Sequence, residues 1–129
     1  MKTQTGLDIL AEEKSAQALC KGNIGYICHN ASCSSDLRSG IEIIKNIFQE
    51  RLVALFSPQH GIFADVQANM IETDSSTHPY FNLPIHSLYG ESRVPTKEML
   101  TGIDTLIFDL QDVGAVSYTH LTLPTICSV

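Results

Sequence analysis

The sequence predicts an α/β domain built on a parallel sheet with helices on its faces. Three observations carry that expectation. Apolar runs of strand length recur at Ile24-Gly25-Tyr26-Ile27-Cys28, Leu52-Val53-Ala54-Leu55-Phe56 and Thr105-Leu106-Ile107-Phe108. Between the first two, Leu37, Ile41, Ile44, Ile47 and Phe48 fall at helical spacing. Each apolar run gives way to polar residues, as happens where a strand buried on both faces reaches the rim of its sheet.

The elements follow in order. Thr5-Gly6-Leu7-Asp8 reads as a helix entry with Thr5 as N-cap. Leu7, Leu10, Ala11 and Ala18 share one face of that helix, and Gly22-Asn23 ends it. The first strand leads into a polar loop, HNASCSS, from His29 to Ser35. Ser35 or Asp36 is placed to cap the next helix, which runs to about residue 50. After the second strand, residues 57 to 82 are polar and irregular, and a loop of that length is usually functional or partly structured. Pro84 to Leu88 is a weaker strand, and Pro95-Thr96 opens a short helix through Met99 and Leu100. The third strong strand ends in Asp109-Leu110-Gln111-Asp112.

Composition narrows the function classes. A chain of 129 residues holds one modest domain with a real core. Its net charge is −6 and it has no Lys/Arg stripe, which argues against nucleic acid and anionic membrane as partners. No apolar run approaches the ~20 residues of a membrane span. The opening MKTQTGLDILAEE lacks the apolar stretch of a secretory signal, so a cytoplasmic location is expected. Cys20, Cys28, Cys33 and Cys127 make no CxxC pair and read as free thiols rather than a zinc site. Neither GxGxxG nor GxxxxGK[ST] occurs, so a nucleotide site has no motif support.

In doubly wound sheets, ligands bind beyond the carboxyl ends of the strands. Three polar clusters hold that position: His29-Asn30, Gln59-His60 and the Asp109 to Asp112 segment. They are expected to converge on one rim. The middle cluster lies in FSPQHG, where Pro58 fixes the backbone and Gly61 frees it, so that a polar pair is presented on a shaped loop.

GLDIL, LVALFSPQHG, LPIHSLYGESRVPTKEML and GIDTLIFDLQDVGA stand in that order. With these segments the chain, from about Gly6 to Ala115, resembles the DUF1343 family, which includes the NamZ-type exo-β-N-acetylmuramidases. The resemblance implies a Rossmann-like N-terminal domain in a protein about three times this length, with a cleft against a smaller C-terminal domain. It implies removal of terminal N-acetylmuramic acid from peptidoglycan fragments, with a peptidoglycan-derived sugar or muropeptide as partner and no metal or organic cofactor. On this basis residues 1–115 are expected to form an incomplete Rossmann-like domain, truncated and inactive alone, with the C-terminal domain absent. The closing VSYTHLTLPTICSV departs from the family, and residues 116–129 are read as a non-native tail from sequencing read-through. Gln59 is the second departure: many members carry Glu there, and an amide cannot exchange a proton as a carboxyl group does.

Glycoside hydrolysis usually needs two carboxyl groups flanking the bond. The catalytic candidates are His60 as proton shuttle, Glu72 as the carboxyl group that Gln59 does not provide, and Asp112. The substrate-binding candidates are Gln59, His29, Asn30, Tyr89 and Gln111, with Tyr89 offering a flat ring to a sugar. Each has a plainer reading: His60 and Gln59 bracing the loop, Tyr89 packing, Asp112 capping a turn. Asp109 is read as structural, His78 as a turn residue, and Arg93 as a surface cation. The competing function is a glycan-binding α/β domain that does not hydrolyse.

Overall fold

The computed structural model describes residues 3–58, 61–63 and 75–111. Five strands form one sheet: β1 (Ile24–Cys28), β2 (Leu52–Ser57), β3 (Ser76–Thr77), β4 (Pro84–Ser87) and β5 (Thr105–Asp109). Their order is β3-β4-β2-β1-β5. β1 pairs in parallel with β2 and β5, and β2 in parallel with β4. Only β3 runs antiparallel, a two-residue edge strand that the sequence pattern does not signal. The sheet is therefore mixed but mostly parallel, as the alternation of apolar runs and helices predicts.

Burial explains why the strands read so clearly. All five residues of β1 are buried, because this strand lies between two neighbours with both faces covered. β2 is nearly as deep. β5 lies at the edge of the described sheet and alternates half-buried with exposed, leaving Leu106 and Phe108 about 40% open.

Helices α1 (Gly6–Glu12), α2 (Lys14–Leu19) and α3 (Gly40–Phe48) accompany the sheet. Thr5 caps α1 as expected. Its hydroxyl accepts from the Asp8 amide at 3.1 Å while the Asp8 carboxylate accepts from the Thr5 amide at 2.7 Å. That reciprocal pair satisfies two of the free amides at the helix start. The single first helix that the spacing predicts is divided, because Glu13 is extended (φ −103°, ψ 112°). The Gln17 amide group folds back to donate to the carbonyls of Leu10 at 2.9 Å and Ala11 at 3.3 Å. Those carbonyls have a side-chain partner in place of further helical turns.

The start of α3 also differs from expectation. Ser39, not Ser35 or Asp36, is its N-cap. Residues 33 to 39 close a small turn first, with Cys33 bridged to Ser39 and the Ser34 amide donating to the Arg38 carbonyl at 3.0 Å. Leu37 sits at the tip with φ 61° and is 83% exposed, so it does not belong to the helical stripe. Ile41, Ile43, Ile44 and Phe48 do, and they pack with Leu7, Ile24, Tyr26, Cys28 and Leu55 in the main core.

The other face carries Ile27, Ala54, Phe56 and Leu88, covered by Met99, Leu100, Ile103 and Leu110. The short helix expected at Pro95–Leu100 is a run of turns. One helical bond forms, from the Leu100 amide to the Thr96 carbonyl at 3.1 Å, and the next two bonds are tighter ones. Gly102 then takes φ 78° and turns the chain into β5. A single helical turn fixes several dihedrals for one bond, so it does not propagate without further turns.

Candidate functional site

Parallel pairing brings the carboxyl ends of β1, β2, β4 and β5 to one edge. Cys28 lies beside Asp109 and Ser57 beside Ser87. The chain moves outward from β1 to β2 to β4 and then returns to place β5 on the other side of β1. This reversal is the topological switch point, where open α/β sheets bind ligands.

Five side chains meet there. The Tyr26 hydroxyl donates to Asp109 Oδ2 at 2.7 Å. Gln111 Nε2 donates to the Cys33 carbonyl at 2.8 Å and reaches Asp109 Oδ1 at 3.3 Å. Ser32, buried, donates its hydroxyl proton to the Asp109 carbonyl. The same Ser32 oxygen lies 3.0 Å from the His29 amide and 3.1 Å from His29 Nδ1. A fully buried phenol ionises with difficulty. Burial pushes the Tyr26 hydroxyl far up, and the Asp109 carboxylate beside it adds to the effect. Burial, and then Asp109, likewise push the Cys28 thiol up. Both groups therefore stay neutral, and Tyr26 serves as a fixed hydrogen-bond donor.

Gly40 makes this cluster sterically feasible. A Cβ on it would lie 2.2 Å from the Tyr26 hydroxyl and 2.8 Å from the Ser32 carbonyl. Its amide instead donates to that carbonyl at 2.8 Å, so the first turn of α3 closes directly onto the loop after β1.

Among the described residues, two clefts flank the edge. One, of about 210 Å³, lies between α1 and β5 and is lined by Gly6, Leu7, Leu10, Ile107, Phe108 and Asp109. The other, of about 390 Å³, lies at the end of β4, where Ser75, Ser87, Ser92 and Thr96 meet Glu91 and Glu98. Glu98 is held below the ordinary carboxylate range by hydrogen bonds from its own amide and from Thr96.

The candidates taken from the sequence separate on this map. His29 is buried at the switch point, while Asn30 beside it is exposed. Gln111 reaches the same cluster, but its amide is engaged with Cys33 and Asp109. Asp109 has a donor on each carboxylate oxygen. Tyr89 is buried, and the Arg93 guanidinium stacks over its ring at 3.9 Å, so that face carries a cation. Gln59, His60, Glu72 and Asp112 lie outside the described residues. Ser32 and Tyr26 were not singled out from the sequence. Ser32 lay within HNASCSS, but its partner on β5 is 77 positions away.

Among the described residues, no group of three His, Cys, Asp or Glu side chains is placed to hold a metal ion. No helix there is long and apolar enough to cross a membrane. Cys20, Cys28 and Cys33 are free thiols.

The strand order and the polar cluster at its reversal define a Rossmann-like α/β domain. A family model described as "Exo-beta-N-acetylmuramidase NamZ, N-terminal" matches residues 24–127. The chain belongs to this family of NamZ N-terminal domains. It is 39% identical over 120 residues to the peptidoglycan beta-N-acetylmuramidase NamZ of Bacillus subtilis (strain 168), covering 93% of this chain and 28% of that protein. It also superposes on the crystal structure of a DUF1343 family protein from Bacteroides fragilis NCTC 9343, with a TM-score of 0.75 and 34% identity. That match covers 95% of this chain and 30% of the other. The chain thus spans less than a third of the length of each relative.

Proposed function

We propose that this chain forms the N-terminal part of a glycoside hydrolase that releases terminal N-acetylmuramic acid from peptidoglycan fragments. The observation that carries this reading is the 39% identity, across 93% of the chain, to a protein named for that activity. The rim geometry is compatible with it. A strand-end edge lined by hydroxyls, amides and carboxylates suits a sugar, which offers many donors and acceptors and little charge.

Within this reading, the two carboxyl candidates taken from the sequence for glycoside hydrolysis, Glu72 and Asp112, lie outside the described residues. Asp109 is committed to Tyr26 and Gln111. Glu72 and Asp112 are the carboxyl candidates, with His60 as proton shuttle and Gln59 as an amide ligand for the N-acetyl or lactyl group.

The test is turnover of an N-acetylmuramic acid glycoside by a protein that carries this chain within the family's full length. Release of N-acetylmuramic acid, and its loss in Glu72→Ala, is the expected result. Gln59 gives the competing reading its one specific support. Binding of muropeptides without release, with turnover gained in Gln59→Glu, would identify a glycan-binding domain descended from a hydrolase. Failure of both release and binding would overturn the reading.

A further inference from the structure

The Ser32 hydroxyl has one proton and is hydrogen-bonded or in hydrogen-bond contact with the His29 amide, His29 Nδ1 and the Asp109 carbonyl, two of which have fixed roles. The Asp109 carbonyl can only accept, and the His29 amide can only donate. The proton of Ser32 must therefore point at the Asp109 carbonyl. Were it turned toward His29, two oxygens would face each other at hydrogen-bond distance with no hydrogen between them. The oxygen of Ser32 is then left with two lone pairs. One accepts from the His29 amide at 3.0 Å, and the other faces His29 Nδ1 at 3.1 Å. That contact is favourable only if Nδ1 carries the hydrogen.

We infer that Ser32 is a positioning residue that fixes His29 as the Nδ1–H tautomer, making Nε2 the proton-accepting atom of the ring at the switch point. The hydroxyl is fully satisfied, with one bond donated and two accepted, and it is buried to 3% exposure. No water is needed to complete it, and rotating it would break a bond to β5. The tautomer of a histidine in the loop after β1 is thus set by a carbonyl at the end of β5. In the neutral ring, whatever meets Nε2, whether protein or ligand, must bring a hydrogen: a hydroxyl, an amide or a protonated acid. The consequence for a sugar hydroxyl rests on the muramidase reading; the tautomer itself rests on the hydrogen bonds alone.

Nitrogen-15 spectra of histidine-labelled protein at about pH 8 read the tautomer directly, with no need for activity. A ring signature for His29 with hydrogen on Nδ1 is expected in the native chain. Ser32→Thr, which keeps the hydroxyl, should preserve it, and Ser32→Ala should mix the two tautomers. Hydrogen on Nε2 in the native protein would overturn the inference even if Ser32→Ala fails to fold. An unchanged signature in folded Ser32→Ala would also overturn it. Because these spectra do not depend on turnover, a full-length protein that neither releases nor binds N-acetylmuramic acid, yet shows the Nδ1–H signature, would sink the hydrolase reading and leave this one standing.

Discussion

Two buried histidines, His29 and His78, are fixed through the same ring atom in opposite senses. His29 Nδ1 faces a serine oxygen whose proton is directed elsewhere, so the nitrogen donates. His78 Nδ1 lies 3.3 Å from the amides of both Tyr80 and Phe81, so there the nitrogen accepts. The rest of His78 is packed, with its ring stacked on Phe81 at 4.9 Å and near Phe63 at 5.4 Å. It closes the turn before β4, where its backbone also bonds to Leu83 and Asn82. His78 holds a loop by imitating a backbone carbonyl, and burial lowers its pKa. His29 stands where two strands end, and its ring is set by a residue tied to the far side of the sheet. Burial alone does not distinguish these two histidines; the role that Nδ1 plays in each does.

The sharpest way to break the switch-point half of this comparison is Gly40→Ala. The new methyl group would meet a buried tyrosine hydroxyl and a backbone carbonyl, neither of which can swing away. A loss of about 3 kcal/mol in urea unfolding is expected, near the upper range for overpacking. A loss below about 1 kcal/mol would mean that α3 closes less tightly on the loop after β1 than described. Tyr26→Phe is milder. It removes a neutral donor from a carboxylate without changing the ring, and such bonds contribute about 2 kcal/mol. Its effect should fall together with that of Asp109→Asn in a double-mutant cycle.

The smallest effect belongs to His78, and it tests the other half. Its folded pKa lies below the ordinary 6.5, so the unfolded chain binds the proton more readily. Its contribution is then complete above pH 6.5 and is lost as pH falls from there toward the folded value. A shallow decline in stability over that window is expected in the native chain. The decline should be reduced in His78→Asn, whose side-chain oxygen can accept from the same amides without titrating. An identical slope in both proteins would place the titration elsewhere.

Much of the fold was legible in the sequence because the central strands are buried on both faces. Ile24 to Cys28 and Leu52 to Phe56 had to be continuous apolar runs, and they are. Element boundaries were harder. Leu37 has the spacing of a helical core residue but sits on a turn tip with positive φ. No glycine or proline marks the break at Glu13, which rests on a side-chain bond from Gln17. The site was legible as a place more than as a set of contacts. The ends of β1 and β5 were expected to meet, and Ser32 and Gln111 reach across from one to the other. That Asp109 would turn inward to Tyr26 depends on a register between strands 83 positions apart at that contact, which no local pattern records.

From the cost of loop closure, the order β4-β2-β1-β5 also predicts a sequence of events in folding. β1, α3 and β2 form a local unit, and β4 extends it on the side away from β1's second edge. That second edge stays open until β5 arrives, which requires closing a loop of about 80 residues, among the slower steps available to a small domain. Until then Tyr26 has no carboxylate and Ser32 has no carbonyl to hold its proton. The polar cluster is assembled in the last act of sheet formation. An intermediate that has collapsed without β5 would carry most of the core and none of the site.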